Sequence, residues 1–205
     1  MGQIVLPLQL GPGAAASRIV VGSANAAVVE ALRDPQAWPF RTAVLSGPAR
    51  SGKSLLARWF VENGLGEAVD DAGRADETEL FHRWNRAQES GRPLLMTVGT
   101  GEGGWQITLP DLASRLGAAL HLAIGAPDDA MLAELFAALA EARGLALGHD
   151  GAAYLATRCE RSHLAAERIV AAIDRLSLER KVAPGPAIWR EALEEVAGPD
   201  QPRLL

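Results

Sequence analysis

A single cysteine, Cys159, stands among the 205 residues. That excludes a disulfide framework and a cysteine metal cluster, and leaves the thiol as a small buried apolar side chain. Histidine is sparse too: His82, His121, His149 and His163 show no ligand spacing, so zinc is not expected. Basic residues fall short of acidic ones, 20 Lys and Arg against 25 Asp and Glu, for a formal charge of −5. That balance argues against a sequence-independent grip on DNA, which would rest on many cationic contacts to phosphates; a local basic patch is compatible with it. No apolar run approaches a membrane span, and the N-terminus lacks a charged stretch followed by a hydrophobic one. These absences predict a soluble, cytoplasmic protein. What is plentiful is apolar surface, 48% of the residues, with alanine and leucine ahead of β-branched residues. The length and composition predict one domain, or one with a smaller appendage, in which helices outnumber strands.

The most informative stretch is Gly47-Pro48-Ala49-Arg50-Ser51-Gly52-Lys53-Ser54, which fits G-x-x-x-x-G-K-S/T without a mismatch. Thr42-Ala43-Val44-Leu45-Ser46 before it reads as a buried strand. Leu55-Leu56-Ala57-Arg58-Trp59-Phe60-Val61 after it reads as a helix, closed by Asn63-Gly64. Strand, glycine loop and helix are the context that makes a phosphate-binding loop credible. The glycines let the backbone curl until its N–H groups point inward, and the helix N-terminus adds positive potential. Lys53 is placed to reach β- and γ-phosphates, and the Ser54 hydroxyl to ligate Mg²⁺. Downstream, Asp70 and Asp71 end a short apolar segment. Beside the loop, Asp70 would hold the Mg²⁺ water shell and Asp71 could orient an attacking water; by themselves, paired aspartates are commonly a turn or a helix cap. The 17-residue interval from Lys53 to Asp70 allows one helix and a turn, with no room for an extra strand–helix unit.

Residues 1–16 read as detached from the fold, with Gly11-Pro12-Gly13 and three alanines as a spacer. Ahead of the spacer, Gln3-Ile4-Val5-Leu6-Pro7-Leu8 reads either as an edge strand or as a linear peptide that fills a partner's pocket, pre-extended by its proline. The hexapeptide resembles the sliding-clamp-binding motif of bacterial proteins that dock on the DNA polymerase clamp. Further on, Asn25–Leu32 forms an amphipathic helix. A second helix begins at Asp76-Glu77-Thr78-Glu79 and turns Leu80, Phe81, Trp84 and Ala87 toward a sheet. Pro93–Val98 is a strand, Leu109–Leu116 a short helix capped by Asp111, and Ala119–Ile124 the last strand, with His121 structural. From Ala126 the pattern changes to four helices, opened by Asp128, His149-Asp150, Ser162 and Gly185-Pro186.

A phosphate-loop α/β base followed by a four-helix lid resembles the AAA+ ATPases. Leu109-Pro110-Asp111-Leu112-Ala113-Ser114-Arg115-Leu116 is similar to the box VII segment of the DnaA-related Hda family, and Asp76–His82 and Glu160-Arg161-Ser162 resemble stretches of its alphaproteobacterial type. The resemblance implies three divisions: a clamp-binding tail over 1–16, a base with a short parallel sheet flanked by helices over 17–125, and a lid over 126–205. It implies bound ADP or ATP with Mg²⁺, contacted by Gly47 to Leu55, by Val21, and by Arg161 and Arg168 of the lid, which lie near Leu164, where a register aligning Asp174 would put the family's lid arginine. Ser54 and Asp70 serve the metal, Asp71 the water, and Gln3, Ile4, Leu6, Pro7 and Leu8 the clamp. Arg115 becomes an arginine finger presented to ATP held by DnaA, a device that gives roughly 10³–10⁵ in rate. The expected function is therefore a replication-initiation regulator with a weak or absent ATPase of its own, partnered by DnaA and the DNA polymerase III β clamp. The chain stops at the lid, so origin binding is not expected. A self-sufficient homo-oligomeric ATPase and an adaptor with a purely structural nucleotide remain open beside it. The shortened interval before Asp70 predicts four strands where five are usual, and the polar sensor stays open between Thr97 and Thr100.

Overall fold

The computed structural model describes residues 19–100 and 104–198. In chain order the first unit, residues 25–125, contains helix α1 (Ala26–Arg33), strand β1 (Thr42–Gly47), helix α2 (Lys53–Glu62), strand β2 (Glu67–Val69), helix α3 (Glu77–Ser90), strand β3 (Leu94–Gly99), helix α4 (Pro110–Gly117) and strand β4 (Leu120–Ala123). All pairings are parallel and the strand order is β2-β3-β1-β4. The two central strands are near-continuous apolar runs because both of their faces are covered.

Chain direction then decides which face each helix takes. The crossover from β1 to β2 steps one way across the sheet, whereas those from β2 to β3 and β3 to β4 step the other way. Right-handed crossovers therefore put α2 on one face and α3 with α4 on the opposite one. The core agrees: Leu80 and Ala87 of α3 and Leu112 and Leu116 of α4 pack with Val44, Leu94, Met96 and Val98, and Phe81 and Trp84 flank them half-buried. Among the described residues the sheet has four strands, as the short interval before Asp70 implies. Between α2 and β2 the chain turns over Gly64, at φ +67°, and Gly66, where a Cβ would sit 2.4 Å from the Pro93 carbonyl oxygen. Only glycine fits that approach.

Helix α4 begins differently from the expectation. Its N-cap is Leu109 with Pro110 at the first turn, and Asp111 lies inside that turn without capping it. The capping carboxylate comes from α3: Glu77 accepts the Leu109 N–H at 2.6 Å, the Thr108 N–H at 2.9 Å and the Thr108 hydroxyl at 2.8 Å. A residue 32 positions upstream can do this because the two helices begin side by side. Three donors stabilise the ionised form, so the Glu77 carboxyl is held below its ordinary 4.5. A depressed folded pKa stabilises the protein above the unfolded value and loses that contribution as pH falls through the folded one. Glu77→Gln is therefore expected to lower Tm at pH 7, with the gap to the wild type closing in acid below pH 4.5. Thermal melts of the two proteins across pH 2.5–7 check it; a gap independent of pH would refute it.

The second unit consists of residues 126–198 with 19–24. Its helices are α5 (Asp129–Ala142), α6 (Gly148–Ala156), α7 (His163–Arg180) and α8 (Pro186–Ala197). Asp128 caps α5 through the Met131 N–H at 2.8 Å, and Ser162 caps α7 through the Ala165 N–H at 3.3 Å. Leu132, Phe136, Leu155, Ile169, Ile173 and Ile188 form one core. Cys159 sits at its margin, where burial pushes the thiol up to about 11. Gly22 lies against α5 so closely that a Cβ would meet the Met131 Cγ at 2.8 Å. No helix among the described residues is long and apolar enough to cross a membrane.

Candidate functional site

The topology itself selects a place for a ligand. At the carboxyl ends of β1 and β3, neighbours in the sheet, the chain leaves toward opposite faces, which opens a crevice between them. The phosphate-loop sequence stands at that switch point. Gly47 ends β1 in register with Gly99, and the Thr100 N–H donates to the Gly47 carbonyl at 3.2 Å. A side chain at 47 would press within 2.9 Å of the Ser51 Oγ and 3.1 Å of the Ile124 Cβ, so the loop can fold back only over glycine. Arg50 at φ +63° and Gly52 at φ +91° then reverse the backbone into α2.

What faces the crevice suits a polyphosphate. Gly52 is the N-cap of α2 and contributes no side-chain cap, so the first amides of the helix have neither an intrahelical acceptor nor a capping side chain. The Ser51 hydroxyl is turned the other way, buried against Gly47 without a hydrogen-bond partner. Lys53 Nζ donates to the Gly47 and Pro48 carbonyls, both at 2.8 Å. Burial lowers its pKa, and the charges of Asp70 and Asp71 act against that shift. An ammonium, an uncapped helix N-terminus and two carboxylates close enough to act on that ammonium fit a nucleotide phosphate chain together with a divalent cation. Lys53, Ser54 and the loop amides would hold the phosphates; Ser54 and Asp70, both exposed, would hold the metal.

The two aspartates are not equivalent. Asp70 Oδ1 accepts the Thr97 hydroxyl at 2.5 Å, and the Asp71 N–H donates to the same Thr97 oxygen at 2.9 Å. Asp71 lies at φ +52° and its carboxylate pairs with Arg74 at 3.3 Å in solvent. Thr100, the other sensor candidate, is exposed.

Arg115 is held against α3. Its guanidinium carbon lies 4.2 Å from the Phe81 ring centroid and 4.5 Å from that of Trp84, and Nη1 donates to the Asn85 Oδ1 at 2.5 Å. Nothing in the sequence around Arg115 announced this cage, because its walls come from a helix 30 residues away. The Glu77 cap and the Thr97 bonds escaped for the same reason. His121 is exposed on the edge strand β4, its Nε2 3.0 Å from the Leu116 carbonyl. Val21, Arg161 and Arg168 belong to the helical unit. There Arg161 makes a two-pronged pair with Asp129 at 3.0 and 3.2 Å, and Arg168 is exposed on α7. Gln3, Ile4, Leu6, Pro7 and Leu8 lie outside the described residues.

A parallel sheet with a phosphate loop at its switch point, joined to a four-helix unit, is the AAA+ architecture. The chain is similar to domain III of the replication initiation protein DnaA of Thermotoga maritima, with a TM-score of 0.70 and 14% identity over 87% of this chain and 95% of that one. It is similar to the RuvB Holliday junction branch migration motor of the same organism at a TM-score of 0.61 and 17% identity, covering 85% and 70%. The replication initiator DnaA bound to AMPPCP and single-stranded DNA follows at 0.58 and 15%, covering 78% and 65%. At these identities the likeness is one of fold. No protein-family profile matches the sequence, and no curated protein matches it.

Proposed function

We propose that this chain is a nucleotide-binding AAA+ adaptor of replication initiation, in which ADP or ATP with Mg²⁺ organises the phosphate loop and the chain acts by docking on DnaA and the sliding clamp. The observation that carries the reading is the uncapped N-terminus of α2 with the carbonyl-bound Lys53 at the sheet's switch point. A hydrolytic role in cis is less supported, because Asp71 is paired with Arg74 and Thr97 is engaged by both aspartates. Clamp docking rests on the hexapeptide containing Gln3, Leu6, Pro7 and Leu8.

A second reading is favoured by the eight-residue stretch around Arg115: the guanidinium acts in trans on ATP held by DnaA. In that reading Arg115 must leave the Phe81–Trp84 cage, giving up a cation–π contact of about 0.5–2 kcal/mol and the Asn85 hydrogen bond. Hydrolysis of DnaA-bound ATP, measured with DNA-loaded clamp, separates the two. If the nucleotide is structural, Arg115→Ala leaves any stimulation by this chain unchanged. If Arg115 is a finger, the same substitution removes a stimulation of roughly 10³-fold or more, with ADP binding intact. Robust turnover by the chain alone, rising with its concentration, would refute both in favour of a homo-oligomeric ATPase.

A further inference from the structure

We infer that Thr97 is the positioning residue for the metal carboxylate of this site, and that it does not serve as a donor to the terminal phosphate. The inference rests on the nucleotide-binding reading above and assigns work within that site.

A threonine hydroxyl has one proton. Here that proton is given to Asp70 Oδ1 at 2.5 Å, while the oxygen accepts the Asp71 N–H at 2.9 Å. The hydroxyl is thus committed as a donor to a carboxylate and has no proton left for a phosphate oxygen. Thr97 is also the least free of the three residues: its side chain is buried, and its backbone pairs with Leu45 in the middle of the sheet. Asp70 is exposed just past the three-residue edge strand β2, and the Thr97 hydroxyl holds its carboxylate by a hydrogen bond. Asp71 adopts a left-handed conformation, which a residue with a Cβ keeps only when its neighbours hold it there. One hydroxyl on the rigid central strand therefore fixes both the direction of the Asp70 carboxylate and the turn that follows it. Groups that orient a metal-binding carboxylate in this way govern metal affinity although they never touch the metal.

The consequence is a division of labour that binding measurements can read. Loss of the hydroxyl should weaken the part of nucleotide affinity that depends on Mg²⁺ and spare the part that does not, because the latter comes from Lys53 and the loop amides. The test uses the full chain, ADP as probe and titration calorimetry, with Mg²⁺ and with EDTA. Thr97→Val is expected to reduce the Mg²⁺-dependent gain in affinity by about 10–100-fold, with affinity in EDTA unchanged. Thr97→Ser, which keeps the hydroxyl, restores the gain. Asp70→Ala should produce the same loss, and adding Thr97→Val to it should cost nothing more. An equal loss in Mg²⁺ and EDTA, no loss in either, or a further loss in the double variant overturns the inference. Should Thr97→Val fail to fold, Thr97→Cys, with its weak S–H donor, takes its place under the same criteria. A wild-type chain that binds no ADP under either condition refutes the nucleotide reading itself, a result distinct from all of these.

Discussion

Replacing Lys53 with alanine is expected to cut affinity for ADP or ATP by about 10–100-fold, the loss of a charge-assisted contact of about 1.5–3 kcal/mol. The ammonium stands at the start of α2, between the loop and the two carboxylates that act on it electrostatically. Its present acceptors are the Gly47 and Pro48 carbonyls, so binding exchanges two neutral acceptors for anionic oxygens. That exchange is why the effect should fall short of the full value of an ion pair in a dry interior. The two carbonyls left behind keep backbone donors, Gly47 from the Thr100 N–H at 3.2 Å and Pro48 from the Ser51 N–H at 3.3 Å, so the fold should survive. Calorimetric titration with ADP, beside far-UV circular dichroism and a thermal melt, checks both halves of the expectation. Unchanged affinity with an intact fold would remove the phosphate loop from any account of function.

The largest effect on stability is expected from Phe60→Ala, about 3–5 kcal/mol by the loss of a buried aromatic and the cavity left behind. Phe60 is fully buried on α2 and stacks on Trp38 with ring centroids 5.4 Å apart and planes 12° from parallel. Trp38 in turn donates its indole N–H to the Ala31 carbonyl of α1 at 2.9 Å, and the Phe60 ring edge fills the space that Gly66 leaves open. One ring therefore joins α1, α2 and the turn into β2. Domains of this size are stable by about 5–15 kcal/mol in all, so the variant should unfold at much lower denaturant. Phe60→Leu, which keeps most of the volume, should cost markedly less. Equilibrium urea unfolding measures both, and a Phe60→Ala loss below that of Phe60→Leu would contradict the packing argument.

Several features were readable in the chain because the rules that govern them are local. The strand, loop and helix from Thr42 to Glu62 follow from contiguous residues, and the Asp128 and Ser162 caps bond to amides three positions on. That a single helix and a turn link β1 to β2 was legible as a length. Asp111 shows the limit of the same logic: its place before an apolar run suggests a cap, yet Glu77, from another helix, takes the amide. A capping rule compares neighbours in sequence and is blind to a carboxylate that folding brings alongside.

The amino-acid order alone determined that a glycine-containing loop would curl into a helix N-terminus with Lys53 and Ser54 in its first turn, since backbone curvature and helix polarity depend on adjacent residues. It determined the change from an α/β unit to helices, which shows in hydrophobic period. Only the tertiary structure decided the surroundings of the reactive groups. The order of strands put the loop at a switch point, the packing of α3 on α4 gave Arg115 its aromatic cage, and the pairing of β2 with β3 brought Thr97 to Asp70 and Asp71. Each of those contacts joins residues some 26 to 34 positions apart. Their partners are set by handedness and burial across the whole sheet, which no local pattern encodes.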